Sequence, residues 1–360
     1  IFPASALAYP DMTRHGYAYC TACHISPSGG GLLTPYGRKL SKELLSTWST
    51  EGEQDFAYGK LTDKLAEDEK NIIGAFIRGV QTRREDNNTI VGRFIPMQLD
   101  VEGAFLRGST TTVLSIGRQE VRSGQQSMGR LFSRRHYVLQ QVSDESSWRV
   151  GKFAFVFGLG DPNHTSYVRK DLGFAYENES YNIEYVYLAE QWGVYATVFD
   201  GQLSRDPYML LLDRGFTATF VWPWQGHHRF GVSLYSGEDN THQRQIVGPW
   251  YVFSLSEKLF LTGELDYQNK VASVGGSVEY GWVTTQKLNL QWLKGLITYL
   301  SYDNKQLIQS NPNAEQYAYG VGVQFFPRPH WELHGSWMRE LTPASQTRSD
   351  MVWLMIHFYL

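Results

Sequence analysis

The chain has 360 residues, of which 42% are hydrophobic, 14% aromatic and 19% charged, with a net charge of −3 and a mean hydropathy of −0.36. This apolar content excludes disorder. No run approaches the roughly 18 consecutive apolar residues of a membrane-crossing helix, and the near-neutral charge leaves no nucleic-acid footprint. What remains is a profile of 34 Gly, 22 Tyr and 11 Trp, which suits many short antiparallel strands with tight turns and interfacial aromatics.

The N-terminal part, residues 1–70, has its own texture. Ala6-Leu7-Ala8 resembles the small-residue end of a secretory signal, or an apolar arm if the chain begins at its mature end. The only two cysteines follow in Cys20-Thr21-Ala22-Cys23-His24. This spacing is that of c-type haem attachment, where two thiols form thioethers to the porphyrin and the adjacent imidazole lies beneath the iron. A redox disulfide would need a βαβ surround, and a zinc site would need a second ligand pair. Ser28-Gly29-Gly30-Gly31 is a turn that admits close backbone approach. Thr34-Pro35 then reads as N-cap and first residue of a helix running to about Trp48, with Leu40, Leu44 and Leu45 on one face. A second short helix is expected around Phe56 to Leu65. A segment this small has a marginal core, so something else must cover a haem.

From residue 71 to 360 the pattern becomes runs of roughly 9–13 residues with period-two alternation, the strand length a bilayer demands. Candidate strands begin near Ile72, Phe94, Thr110, Leu131, Trp148, Val168, Tyr181, Gly193, Phe216, His228, Gln245, Glu257, Ala272, Lys287, Gln316, Trp331 and Met351. Single-chain bacterial barrels have even strand numbers, so one of these is in error and about 16 strands are expected. Val352, Leu354, Ile356 and Phe358 share one face, expected toward lipid, opposite Trp353, Met355, His357 and Tyr359. Leu259, Leu261, Leu265 and Tyr267 oppose Thr262, Glu264, Asp266 and Gln268. Val274, Val278, Tyr280 and Trp282 oppose Ser273, Ser277 and Glu279. The fold class expected is therefore all-β: a transmembrane antiparallel barrel over 71–360, with a small helical haem segment over 1–70 plugging its lumen. Bacterial outer membrane is the expected location.

The haem pentapeptide, with Pro27, Gly29 to Gly31, Leu33-Thr34 and Tyr36-Gly37-Arg38 after it and a barrel-patterned remainder, resembles the fused outer-membrane monohaem cytochrome–porin family. That resemblance implies iron oxidation or extracellular electron transfer: an Fe(II):cytochrome oxidoreductase activity, a periplasmic c-type cytochrome as partner and an extracellular redox partner or metal ion. Members usually carry Pro where this chain has Tyr19, and they tend to be longer. The resemblance therefore bears more on the electron-conduit role than on iron as donor.

One covalent haem c would be held by Cys20 and Cys23, with His24 as proximal ligand. Between His24 and Met97 there is neither Met nor a second His, so the distal ligand is sought upstream, at His15 or Met12, or in the barrel. There His164 stands in the turn-rich stretch Gly158 to Thr165 after the fifth candidate strand, the connection that folds into the lumen in general porins. An open coordination site is the remaining option. His330 and His334 share parity with Glu332 and Met338 and should face the lumen, as hydrated lining or a metal-entry point. His227-His228 read as a turn or an interface and His242 as a loop. His136 beside Arg134 and Arg135 could belong to a basic stripe that steers anions or haem propionates. Asp161, Glu264, Asp266 and Glu279 are lumen lining or oxygen ligands for a cation. No serine-hydrolase elbow, phosphate loop or paired-carboxylate motif stands out. The expected function is a one-electron conduit. The rivals are a diffusion porin with a periplasmic haem domain and a haem enzyme or sensor; homo-oligomers are compatible with all three.

Overall fold

The computed structural model describes residues 10–53, 70–87, 89–118, 131–174, 179–204 and 212–360. The helix expected at Phe56 to Leu65 and the Ala6 to Ala8 arm lie outside them. One antiparallel sheet dominates, with strands in chain order β1 (Asn71–Asp86), β2 (Thr89–Arg107), β3 (Thr110–Arg118) and a fourth in two pieces, β4 (Leu131–Phe132 and His136–Gln141). Both pieces pair with β3, so they are one strand interrupted at residues 133–135. β5 (Ser146–Phe153), β6 (Ser180–Leu188), β7 (Gly193–Asp200), β8 (Arg214–Trp224), β9 (His228–Glu238) and β10 (His242–Ser254) follow. The remaining strands are β11 (Leu259–Ala272), β12 (Val278–Leu293), β13 (Leu296–Gln306), β14 (Gln316–Phe325), β15 (Trp331–Thr342) and β16 (Thr347–Tyr359). β1 pairs with β16, which closes a 16-stranded barrel without free edges.

The strand expected at Val168 is instead a short helix, α2 (Tyr167–Lys170), inside the β5–β6 connection. A short apolar run reads equally as strand or helix, and here the lumen supplies the burial. The starts expected at Ala272 and Lys287 are early: Ala272 ends β11 and Lys287 lies within β12. Residues 273–277 are a connection, so exposed Val274 belongs to it, and Glu279 keeps the inward parity of its strand but is exposed at the strand's end.

Elsewhere the alternation holds. Val352, Leu354 and Ile356 point outward while Trp353, His357 and Tyr359 are buried; Leu265 and Tyr267 point outward while Thr262, Glu264, Asp266 and Gln268 are buried. The inversion of ordinary globular patterning, apolar outside and polar within, is what a lipid solvent selects. One barrel mouth carries the short connections, such as 108–109, 225–227 and 294–295; the other carries the long ones, including 154–179 between β5 and β6.

Two segments fill the lumen. The N-terminal segment occupies the short-turn mouth, fastened to the backbone of the turns. The Tyr19 hydroxyl donates to the Ala189 carbonyl (2.8 Å), Arg14 to the Glu257 carbonyl (2.7 Å), and the Thr47 and Trp48 amides to Phe326 and Pro327 (both 2.9 Å). The β5–β6 connection folds inward, as expected of the connection after the fifth strand. It buries Phe155, Phe157, Tyr167, Leu172 and Phe174 against Phe199 and Tyr235. Phe199 stacks on Tyr235 at 5.1 Å between centroids and Phe157 lies tilted against Phe174 at 4.7 Å, contacts worth about 0.5–1.5 kcal/mol each beyond area burial.

Candidate haem site in the short-turn mouth

Cys20 opens a single 3-10 turn, Cys20–Ala22, and the His24 amide donates back to the Cys20 carbonyl (2.9 Å). Local hydrogen bonding thus brings both thiols and the imidazole onto one tight turn. The Thr34 amide donates to the Cys23 carbonyl (2.8 Å), and His24 bridges to Leu33 as an isolated antiparallel pair. Between them Gly29, Gly30 and Gly31 all have positive φ (76°, 67° and 65°), the left-handed region that glycine occupies without a Cβ penalty. α1 (Pro35–Leu40) follows, capped by the Thr34 side chain accepting from the Gly37 amide, and passes into a π turn over Ser41–Leu45. The helix is shorter than the sequence implied. Gly37 packs so closely on the backbone of Cys23 that a Cβ would overlap its carbonyl, which locks α1 onto the cysteine turn.

Cys20, Cys23 and His24 are all buried, and no disulfide joins the two thiols. Burial raises the Cys23 thiol to about 11, so it is not a thiolate of the reactive kind. Burial, reinforced by the Arg135 guanidinium, lowers the His24 imidazole to about 4 and keeps it neutral. The backbone of Gly30 and Gly31 faces the ring, yet neither ring nitrogen has a hydrogen-bond partner among the described residues. A buried neutral imidazole with unmet nitrogens is costly unless something coordinates it. The donor set of two unlinked thiols and one such imidazole on a single turn fits a covalent haem c.

The distal candidates separate. His15 ends the turn Pro10–His15; burial, with Arg14 and His227 adding, lowers it to about 4, and its Nε2 is buried without a partner. Met12 is buried in an apolar cluster with Leu45 and Phe326, and Tyr17 packs against both this cluster and that of Cys23. His164 lies half-buried on the inward connection and is engaged in other interactions. His15 and Met12 thus share the N-terminal segment with His24, while His164 sits on the second plug.

The other singled-out residues have structural roles. The Asp161 carboxylate pairs with Lys287, and Glu264 accepts from the Leu159 amide (2.8 Å), so both pin the inward connection. Asp266 is buried beside Glu264 on the same face. His136 bonds Ser133 and the Tyr181 hydroxyl (2.9 and 3.1 Å); His227 bonds the Arg14 carbonyl (3.0 Å); His242 contacts Asp239. His334 meets the Tyr299 hydroxyl (2.9 Å), and His330, Glu332 and His334 are all buried inward.

The lumen wall around the cysteine turn carries Arg149, Glu184, Glu102 and Asp100, which sequence reading did not single out, beside Arg134 and Arg135, which it did. Wholly buried Arg149 pairs with Glu184 (2.6 Å) and donates to the Ser26 hydroxyl (2.8 Å). Arg135 pairs with Glu102 (3.2 Å), which also accepts from the Leu32 amide (3.2 Å), and Arg134 pairs with Asp100 (3.0 Å). Inward parity in β2, β5 and β6 was the available signal for Asp100, Glu102, Arg149 and Glu184.

No protein-family model and no curated sequence relative matches the chain. Solved structures do match in fold. The outer membrane channel DcaP of Acinetobacter baumannii superposes with a TM-score of 0.57 at 12% identity, over 81% of this chain and 97% of that one. OprB of Pseudomonas putida gives 0.62 at 9% identity, over 88% and 99%. An anion-selective porin from Comamonas acidovorans gives 0.57 at 9% identity, over 81% and 99%. At such identities the likeness is one of fold: a porin-like barrel of the bacterial outer membrane.

Proposed function

We propose that this protein is an outer-membrane electron conduit in which one covalent haem c is held in the short-turn mouth by Cys20, Cys23 and His24. The carrying observation is the buried cysteine–histidine turn inside the barrel, with the His24 nitrogens unmet among the described residues. When bound, haem supplies one reversible electron at iron. The chain's own residues do the rest. Cys20 and Cys23 fix the group covalently, and His24 offers a neutral lone pair. Leu32, Leu33, Phe76, Tyr137 and Phe153, clustered with Cys23, exclude water and lower the local dielectric. His15 is the distal ligand this reading favours, because its Nε2 is buried and unmet in the same segment.

A hydrocarbon core of about 30 Å separates the two aqueous faces. Short turns face the periplasm in outer-membrane barrels, so a haem here would meet a periplasmic c-type cytochrome directly. A donor or acceptor at the other mouth, a metal ion or another protein, would communicate through the aromatic inward connection. The second reading is a diffusion porin, favoured by the channels and porins with which the fold superposes. The two segments within the lumen speak for low conductance and so for the conduit.

The test is a spectrum of the purified protein with and without dithionite, joined to planar-bilayer conductance. A six-coordinate low-spin haem with little ion current supports the conduit. Absence of haem with large steady channels establishes the porin reading instead.

A further inference from the structure

Arginines that line the lumen differ in their partners. Arg134, Arg135, Arg149 and Arg244 each meet a carboxylate, from Asp100, Glu102, Glu184 and Asp213. Arg229, second residue of β9 and directed into the short-turn mouth, is 2% exposed and meets none among the described residues. Its Nη1 donates to the Ala18 carbonyl (3.1 Å), its guanidinium lies 4.5 Å over the Trp250 ring, and its Nε is buried without a partner. The titratable groups around it are Cys20, Tyr195 and Tyr19, none of them a carboxylate. A guanidinium keeps its charge under nearly all conditions. A full cation removed from water, with only a carbonyl and a ring face for company, calls for an anion.

We propose that Arg229 binds an anionic oxygen group seated beside Cys20 in the short-turn mouth, and that a propionate carboxylate of the haem is that group. The second half of this statement rests on the conduit reading; the first does not. The fork of guanidinium N–H groups suits carboxylates and small oxyanions alike. Arg229 would thereby compensate a propionate charge near the iron, and its loss would favour the oxidised, more positive state.

Purified holoprotein would be compared as wild type, Arg229→Gln and Arg229→Lys, with haem quantified after alkaline pyridine treatment and the midpoint potential measured with and without inorganic phosphate. The expected result is full haem content in all three, a lower midpoint in Arg229→Gln, recovery of most of the shift in Arg229→Lys, and no effect of phosphate. If the wild-type midpoint or unfolding temperature moves with phosphate and that of Arg229→Gln does not, the anion site stands and its occupant is a free oxyanion. If the protein carries no haem, the conduit reading fails, and phosphate stabilisation of the wild type but not of Arg229→Gln still supports the site. Identical potentials and identical phosphate responses in wild type and Arg229→Gln overturn the proposal, as does a haem-free protein indifferent to phosphate.

Discussion

The two segments that fill the lumen are held by different means. The N-terminal segment is tied to backbone carbonyls and amides of the short turns, at Ala189, Glu257, Phe326 and Pro327, and to an apolar cluster around Cys23, in addition to the wall side chains Glu102, Arg149 and Arg229. The inward connection is pinned by wall side chains: Lys287 on Asp161, Lys305 on Asp171 (2.6 Å), Glu264 on the Leu159 amide, Asp303 on the Tyr167 amide (3.0 Å) and Glu340 on the Tyr167 hydroxyl (2.9 Å). A backbone anchor is present whatever residue occupies the turn. A side-chain anchor disappears with one substitution. The first plug should thus tolerate changes in its wall better than the second.

The sharpest separation of the two comes from the cysteines. Replacing both Cys20 and Cys23 by Ser is expected to abolish covalent haem completely, read as loss of absorbance after denaturing electrophoresis, while the barrel still inserts and the inward connection stays closed to ions. Next in size, Lys287→Ala strands the buried Asp161 carboxylate. Breaking such a pair costs roughly 3–5 kcal/mol, so this variant should show raised single-channel conductance with its haem spectrum unchanged. Wild-type conductance in Lys287→Ala would show that the connection does not depend on its wall.

Acid should act on the same plug. Burial alone would raise the Asp161 carboxyl, but the Lys287 ammonium and the Asn163 amide outweigh it and leave its pKa below the ordinary value. Its contribution is complete above the unfolded value of about 3.9 and is lost as pH falls through the lower folded value. Conductance should therefore be flat from neutrality to about pH 4 and rise only below it. A rise near pH 6 would assign the closure to another group. The smallest effect is expected at Tyr19→Phe, which removes one hydroxyl bond to the Ala189 carbonyl. A loss of about 1 kcal/mol should appear as a slightly lower unfolding temperature, with no change in conductance.

Strand alternation was readable from the chain because a lipid-facing wall makes every second residue apolar, as in β16 and β11. The same parity foretold that Glu264, Asp266, Glu332 and His334 point inward. The cysteine–histidine turn was readable because its hydrogen bonds are local. The Val168 helix was not, since its apolar residues are buried by lumen contacts that a short window does not contain. The interruption of β4 at residues 133–135 was hidden for a related reason: Arg135 bonds to Ser115 and Glu102 on neighbouring strands, and nothing in the local sequence announces it. The pairing of Arg149 with Glu184, or its absence at Arg229, depends on register across neighbouring strands and is invisible to composition.

The closing seam of the barrel has a consequence for assembly. Pairing β1 with β16, as in Phe76 opposite Tyr359, joins residues far apart in the chain, a contact with a large loop-closure entropy. The N-terminal segment spans that seam: Arg38 donates to the Ile73 carbonyl of β1 (2.9 Å), and the Ser41 hydroxyl bonds that of Tyr359 on β16 (3.0 Å). Docking of the segment and zipping of the ring therefore reward each other, and the piece that carries the cysteines doubles as the clasp of the barrel that encloses it.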